Sequence, residues 1–110
     1  MKLNNPVNLA IIGTGAWSGC IGNVMNKSKK VNLVTCYDPN KKKRIAFSEK
    51  FHCEQEDSYL DVLKQTDIDG VHLATPNASH AEQTILAAQY GKHVFVEKPI
   101  ANTIADAEKM

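Results

Sequence analysis

The run Val7-Asn8-Leu9-Ala10-Ile11-Ile12 breaks into Gly13-Thr14-Gly15-Ala16-Trp17-Ser18-Gly19, and few folds accommodate such a junction. A short stretch rich in Val, Leu and Ile that ends on glycine reads as a strand buried on both faces, followed by a tight turn into a helix. Gly13 can take backbone angles closed to other residues, and Gly15 lacks the side chain that would hold a phosphate away from the main chain. The first turn of a helix carries unpaired N–H groups and partial positive charge, so a pyrophosphate is held there without a basic side chain. The G-x-G-x-x-G spacing asks for a third glycine where this chain has Ser18, so the first helix must pack on its strand through a small residue instead. A glycine-rich turn in any α/β domain imitates part of this motif, and the rest of the chain has to decide.

Strands and helices alternate from that turn onward. Cys20, Ile21, Val24 and Met25 recur at helical spacing, and a polar run from Asn26 to Lys30 closes the helix. Val31–Tyr37 is a β-branched, apolar second strand ending at Asp38-Pro39, a pair suited to a helix start. Lys41 to Phe51 reads as a helix with Ile45, Ala46 and Phe47 inward, and a third strand is expected around His52-Cys53-Glu54. Asp57 or Ser58 can cap a helix carrying Tyr59, Leu60, Val62 and Leu63. Val71-His72-Leu73-Ala74 is the fourth strand, broken by Thr75-Pro76-Asn77. Ser79-His80-Ala81-Glu82 has capping-box spacing and opens a helix lined by Ala81, Ile85 and Ala88 that ends at Gly91. His93–Val96 forms the fifth strand, Glu97-Lys98-Pro99 ends it, and Thr103 begins a last helix. Such alternation with short connections gives a doubly wound α/β fold, a parallel sheet with helices on both faces, here of expected order 3-2-1-4-5 and stopping before a sixth strand.

In open parallel sheets, ligands sit beyond the carboxyl ends of the strands where the strand order reverses. The unusual residues of this chain all fall at such ends. Asp38, about twenty residues beyond the glycines, is placed to accept hydrogen bonds from both hydroxyls of an adenosine ribose and to repel a 2′-phosphate; the plainer reading is a helix cap. Lys41-Lys42-Lys43-Arg44 could neutralise that phosphate or form a solvated helix face. The carboxylate favours NAD, with NADP possible. Lys98 could hydrogen-bond a ribose or substrate hydroxyl near the nicotinamide, or be an ordinary surface lysine. His72 reads as a packed core histidine, whereas His80 opens a helix beside the crevice. His52 and His93 read as surface or strand-start residues.

Composition narrows the class further. At 110 residues the chain is one domain by size, and 13 basic against 12 acidic residues give a net charge of +1, which offers no footprint for nucleic acid or an anionic membrane. Cys20, Cys36 and Cys53 lack the C-x-x-C spacing of zinc or redox pairs, so no metal site is expected and a reducing cytoplasm suits them. The first residues, Met1 to Pro6, lead into an apolar run too short for a signal-peptide core or a membrane span.

Taken together, Ala10-Ile11-Ile12-Gly13-Thr14-Gly15, Tyr37-Asp38-Pro39, Ala74-Thr75-Pro76-Asn77 with His80, and Gly91-Lys92-His93-Val94-Phe95-Val96-Glu97-Lys98-Pro99 closely resemble the amino-terminal domain of the Gfo/Idh/MocA oxidoreductases. That family includes glucose-fructose oxidoreductase and inositol dehydrogenase. The resemblance implies a Rossmann domain from a nicotinamide-dependent dehydrogenase acting on a sugar, polyol or related hydroxyl compound. It implies that Gly13, Thr14, Gly15, Ala16, Trp17 and Ser18 surround the pyrophosphate. Thr75, Pro76, Asn77, His80 and Glu97 then belong to the cofactor site, and Lys98 stands beside both the nicotinamide and the reacting hydroxyl as the catalytic group. Members of the family carry a second α/β domain that builds the substrate pocket and supplies further catalytic groups, often an Asp and a His. Residues 1–110 are therefore expected to be an incomplete dinucleotide-binding domain, able to bind NAD weakly, unable to turn over alone, and prone to form a homo-oligomer through its open sheet edge. Two other classes share parts of the pattern: a nucleotide-sensing regulatory module, which would not use Lys98, and a methyltransferase, which leaves Glu97-Lys98-Pro99 unexplained.

Overall fold

The computed structural model describes residues 6–110, so the reading of the first five residues lies outside the described part. Six elements carry the sheet and its first covering layer: β1 (Val7–Ile12), α1 (Ala16–Lys27), β2 (Val31–Tyr37), α2 (Lys41–Phe51), β3 (Glu54–Gln55) and α3 (Tyr59–Leu63). Then come β4 (Gly70–Leu73), a 3₁₀ turn over Asn77–Ser79, α4 (His80–Gln89), β5 (His93–Val96) and α5 (Ile104–Lys109). All pairings are parallel and the order is β3-β2-β1-β4-β5, as expected. Connection reverses direction between β1 and β4, which fixes where a crevice opens.

Two apolar layers hold the sheet. On one face Ile11 and Cys36 pack with Met25 of α1 and with Phe47 and Phe51 of α2. On the other, Ala10, Ile12, Val71 and Leu73 pack with Val62 and Leu63 of α3 and Ala87 of α4. β1 feeds both layers, consistent with its continuous apolar sequence, and Ala10, Ile11 and Ile12 are fully buried. Over β4 and β5 the first face carries no helix among the described residues. An apolar groove of about 290 Å³ remains there, bordered by Leu9, Ile21, Val24, His72 and Phe95.

Several helix faces differ from the periodicity reading. In α1 the buried residues are Ser18, Gly22 and Met25, while Cys20 and Val24 are exposed, because the helix covers β1 and β2 and leaves its flank beside the bare part of the sheet. Gly22 lets α1 approach α2 closely: a Cβ there would lie 3.0 Å from the Phe51 ring. In α2, Phe47 points inward as expected, but Ala46 is exposed and the other buried positions are Arg44 and Phe51. Arg44 is held by Asp57 at 3.1 Å. The basic run is thus not a uniform solvated face. Asp38-Pro39 does not start α2 either, since the cap is Asn40, whose side chain accepts from the Lys43 N–H at 3.1 Å.

Later elements show the same mixture. Ser58 caps α3 through the Asp61 N–H, and Thr103 caps α5 through the Asp106 N–H, both as the sequence suggests. Ser79 makes no capping bond, because its backbone is already helical at the end of the 3₁₀ turn, so the capping box does not form. α4 buries His80 and Ala87 and exposes Ala88. β3 is only Glu54-Gln55, paired with Thr35 and Cys36, and His52 just before it adopts a left-handed conformation that ends α2.

Candidate functional site

The strand ends are level. Ile12 pairs with Tyr37 on one side and with Leu73 on the other, and Leu73 pairs with Val96, so the last residues of β1, β2, β4 and β5 stand in one row. Gly13, Asp38, Ala74 and Glu97 follow immediately, which puts the four unusual segments along one rim of the sheet. A crevice of about 630 Å³ opens there, lined by Gly13 and Gly15, by Asp38 with Lys43, and by Thr75 with Pro76. Tyr37, Pro39, Tyr59, Ala74, Ser79 and Gln83 complete its wall.

The two glycines do different work. Gly13 has φ +90, and a Cβ on it would lie 2.5 Å from the Ala74 carbonyl oxygen, so the turn passes against the end of β4 only because no side chain is present. Gly15 caps α1 in an extended conformation, and nothing lies within 4 Å of where its Cβ would be. That open space borders the crevice at a helix N-terminus with no acidic residue in its first turn. A phosphate fits such a cradle, where free N–H groups point outward. Ser18 is buried and its hydroxyl donates to the Gly13 carbonyl, so the missing third glycine is replaced by a side chain that ties the helix to the turn.

Asp38 is anchored rather than free. Its Oδ2 accepts from the Thr14 N–H at 2.9 Å and from the Thr14 hydroxyl at 3.1 Å, and its Oδ1 accepts from the Asn40 N–H at 2.8 Å. A carboxylate offers about four acceptor positions, which leaves one on Oδ1 for an incoming hydroxyl. A donor arriving in the crevice therefore finds one free acceptor position on Asp38 rather than two, unless Thr14 gives up a contact. Lys43 reaches the same crevice, whereas the Arg44 guanidinium is committed to Asp57 and to the Asp38 carbonyl at 3.4 Å.

At the other end of the rim, Thr75 donates its hydroxyl to Gln83 Oε1, and the Tyr59 hydroxyl donates to the Gln83 carbonyl at 2.8 Å. Burial pushes the Tyr59 phenol up, so it stays a donor. Tyr59 and Gln83 come from α3 and α4 and are absent from the sequence-based site. Only their three-dimensional meeting reveals them, although Gln83 one helical turn after His80 was a usable sign.

Of the expected site residues, Thr14, Ala16, Trp17, Ser18, Asn77, His80, Glu97 and Lys98 do not line the crevice wall. Trp17 is 57% exposed and its indole N–H donates to Glu97 Oε2 at 2.9 Å, joining the start of α1 to the end of β5. The other Glu97 oxygen is 3.6 Å from His72 Nε2. His72 is buried as expected, stacks on Phe95 with ring centres 4.9 Å apart, and has no hydrogen bond to either ring nitrogen. Burial lowers its pKa, against the opposing pull of Glu97. His80 is also buried, with Nδ1 2.7 Å from the Pro99 carbonyl oxygen and Nε2 2.8 Å from the Thr75 carbonyl oxygen. Lys98 and Asn77 are exposed on their loops.

A level row of four parallel strand ends, a glycine turn at a helix start and an anchored acid after β2 define a doubly wound dinucleotide-binding domain. Residues 7–110 match the family described as "Oxidoreductase family, NAD-binding Rossmann fold", and the chain belongs to that Gfo/Idh/MocA family. It is similar to 2,7-anhydro-N-acetylneuraminate hydratase of Mediterraneibacter gnavus, 36% identical over 94% of this chain and 27% of that protein. The scyllo-inositol 2-dehydrogenase (NADP(+)) IolU of Bacillus subtilis is 30% identical over 94% of this chain and 32% of its own. Among solved structures, the WlbA dehydrogenase of Chromobacterium violaceum in complex with NADH and UDP-GlcNAcA superposes with a TM-score of 0.92. It is 28% identical over 96% of this chain and 31% of that one. The chain thus spans about a third or less of the proteins it resembles.

Proposed function

We propose that this chain is the cofactor-binding part of an oxidoreductase that moves a hydride between NAD and a sugar, a polyol or a related hydroxyl compound. The observation that carries the reading is the single rim on which Gly15, Asp38, Thr75 and the Lys98 loop follow four level strand ends. On this reading the N–H groups after Gly15 bind the pyrophosphate, Asp38 Oδ1 takes a ribose hydroxyl, and Thr75, Pro76 and Asn77 border the nicotinamide half. The bound nicotinamide supplies the hydride acceptor. Lys98 Nζ hydrogen-bonds the hydroxyl oxygen of the substrate and steadies the charge left as its proton departs. Trp17 and Glu97 brace the loop that carries Lys98. A base that takes the proton, and the walls of the sugar pocket, are assigned to polypeptide beyond these 110 residues.

The relatives support the substrate class through their names, which concern an anhydro-sugar, an inositol and a nucleotide sugar. One of them is named a hydratase, so a shared sugar substrate does not by itself fix the net reaction. The preference for NAD rests on the Asp38 carboxylate, anchored at the end of β2 by Thr14 and Asn40, whose charge would repel a 2′-phosphate. Isothermal titration with both cofactors tests it: NAD should bind at least about tenfold tighter than NADP, equivalent to ~1.4 kcal/mol. Equal or tighter NADP binding contradicts the assignment of Asp38. Steady hydride transfer to a sugar by the 110 residues alone contradicts the assignment of the base to another part of the polypeptide.

A further inference from the structure

We propose that His80 is a positioning residue that cross-braces the two loops on the nicotinamide side of the crevice. The inference rests on the cofactor reading above and adds a residue that does not itself line the crevice. His80 is the first residue of α4, 1% exposed, and its ring lies between two carbonyl oxygens from separate loops. Nε2 is 2.8 Å from the Thr75 oxygen, in the loop after β4, and Nδ1 is 2.7 Å from the Pro99 oxygen, in the loop after β5.

Those loops lack other direct ties between them in the described hydrogen bonds. Thr75 is otherwise fastened to Gln83 of α4, and Glu97 to Trp17 of α1. Pro99 and Thr75 therefore share one rigid ring as their spacer. Lys98 is exposed, and its immediate neighbour Pro99 is the residue that the ring grips. Fixing the Pro99 carbonyl fixes the start point of the Lys98 side chain relative to Thr75. A ligand group seated between Thr75 and Lys98, the nicotinamide half on this reading, meets a preformed gap instead of two independent loops. The adenosine half contacts Gly15 and Asp38, which the ring does not touch.

Two substitutions separate bracing from simple anchoring, because the side-chain amides mimic one ring nitrogen each. Both carbonyls accept from the ring at once only when both its nitrogens carry a proton, since a neutral imidazole has a single N–H; His80→Gln keeps an amide donor near the Thr75 carbonyl and leaves the Pro99 carbonyl without one. His80→Asn does the reverse. Each is compared with the unaltered chain by titration with NAD and with adenosine diphosphate ribose, which lacks the nicotinamide. The unaltered chain should bind NAD more tightly than ADP-ribose; equal affinities would sink the underlying placement of the nicotinamide rather than the role of His80. Bracing predicts that both variants keep ADP-ribose affinity within about twofold and lose NAD affinity by about tenfold. If either variant retains full NAD affinity, one carbonyl contact suffices and the brace is refuted. Equal loss of both ligands would make His80 a general prop of the fold and would equally overturn the proposal.

Discussion

At the scale of single residues, the two glycines of the first turn make opposite predictions. Gly13→Ala places a methyl 2.5 Å from a backbone oxygen at a φ of +90, and the strain at such a position costs ~1–3 kcal/mol before the clash is counted. Urea unfolding should show a loss of about 3 kcal/mol or more. Gly15→Ala meets no neighbour, so stability should change by less than about 1 kcal/mol while NAD affinity falls, because the new methyl occupies the phosphate cradle. His72 supplies a third prediction. Its folded pKa is lowered from 6.5 by burial, so below that value the unfolded chain binds the extra proton more readily and stability declines as pH falls from 7 toward 5. His72→Phe removes this component, and unfolding midpoints at the two pH values should converge in the variant. The tight turn at Gly13 and the place of Asp38 just beyond β2 were legible in the sequence, because spacing sets both. The roles of Ser18 and His80 were not, since a hydroxyl on a carbonyl and a ring between two loops depend on distances that no period encodes.

At the scale of elements, β1, β2, β4 and β5 were readable from apolar runs ending in Gly, Asp or Pro, and the parallel order followed from alternation. Helix faces were harder to read. α1 and α4 each bury a stripe narrower than their apolar content suggests: Ser18, Gly22 and Met25 in one, His80 and Ala87 in the other. Arg44 defeated the pattern in another way: a cation in a basic run is buried with its two terminal nitrogens on the Asp38 carbonyl and Asp57. Removing that carboxylate leaves a buried guanidinium short of one partner. Asp57→Ala should therefore destabilise the chain by about 1 kcal/mol or somewhat more, discounted because the aspartate side chain is 85% exposed. A salt-insensitive, unchanged unfolding midpoint would show that the pair contributes nothing.

At the scale of the whole molecule, one sheet face is left uncovered over β4 and β5 among the described residues. Phe95 is 63% exposed and Val24 65% exposed on either side of the apolar groove, and β5 is an edge strand with unpaired backbone groups. Contiguous apolar surface of this kind supports self-association of the chain. Light scattering should find an oligomer or aggregate, and Phe95→Glu should shift it toward monomer; a monomeric unaltered chain at high concentration would contradict this. The bare face also accords with relatives three times as long, whose remaining polypeptide has no counterpart in these residues. Whether a single rim holds the dinucleotide is tested by titrating the isotope-labelled chain with NAD and following backbone amide resonances. Shifts should concentrate on residues 13–18, Asp38, residues 75–77 and Lys98, along one rim. Shifts confined to the groove beside Phe95, or none at millimolar NAD, would contradict it.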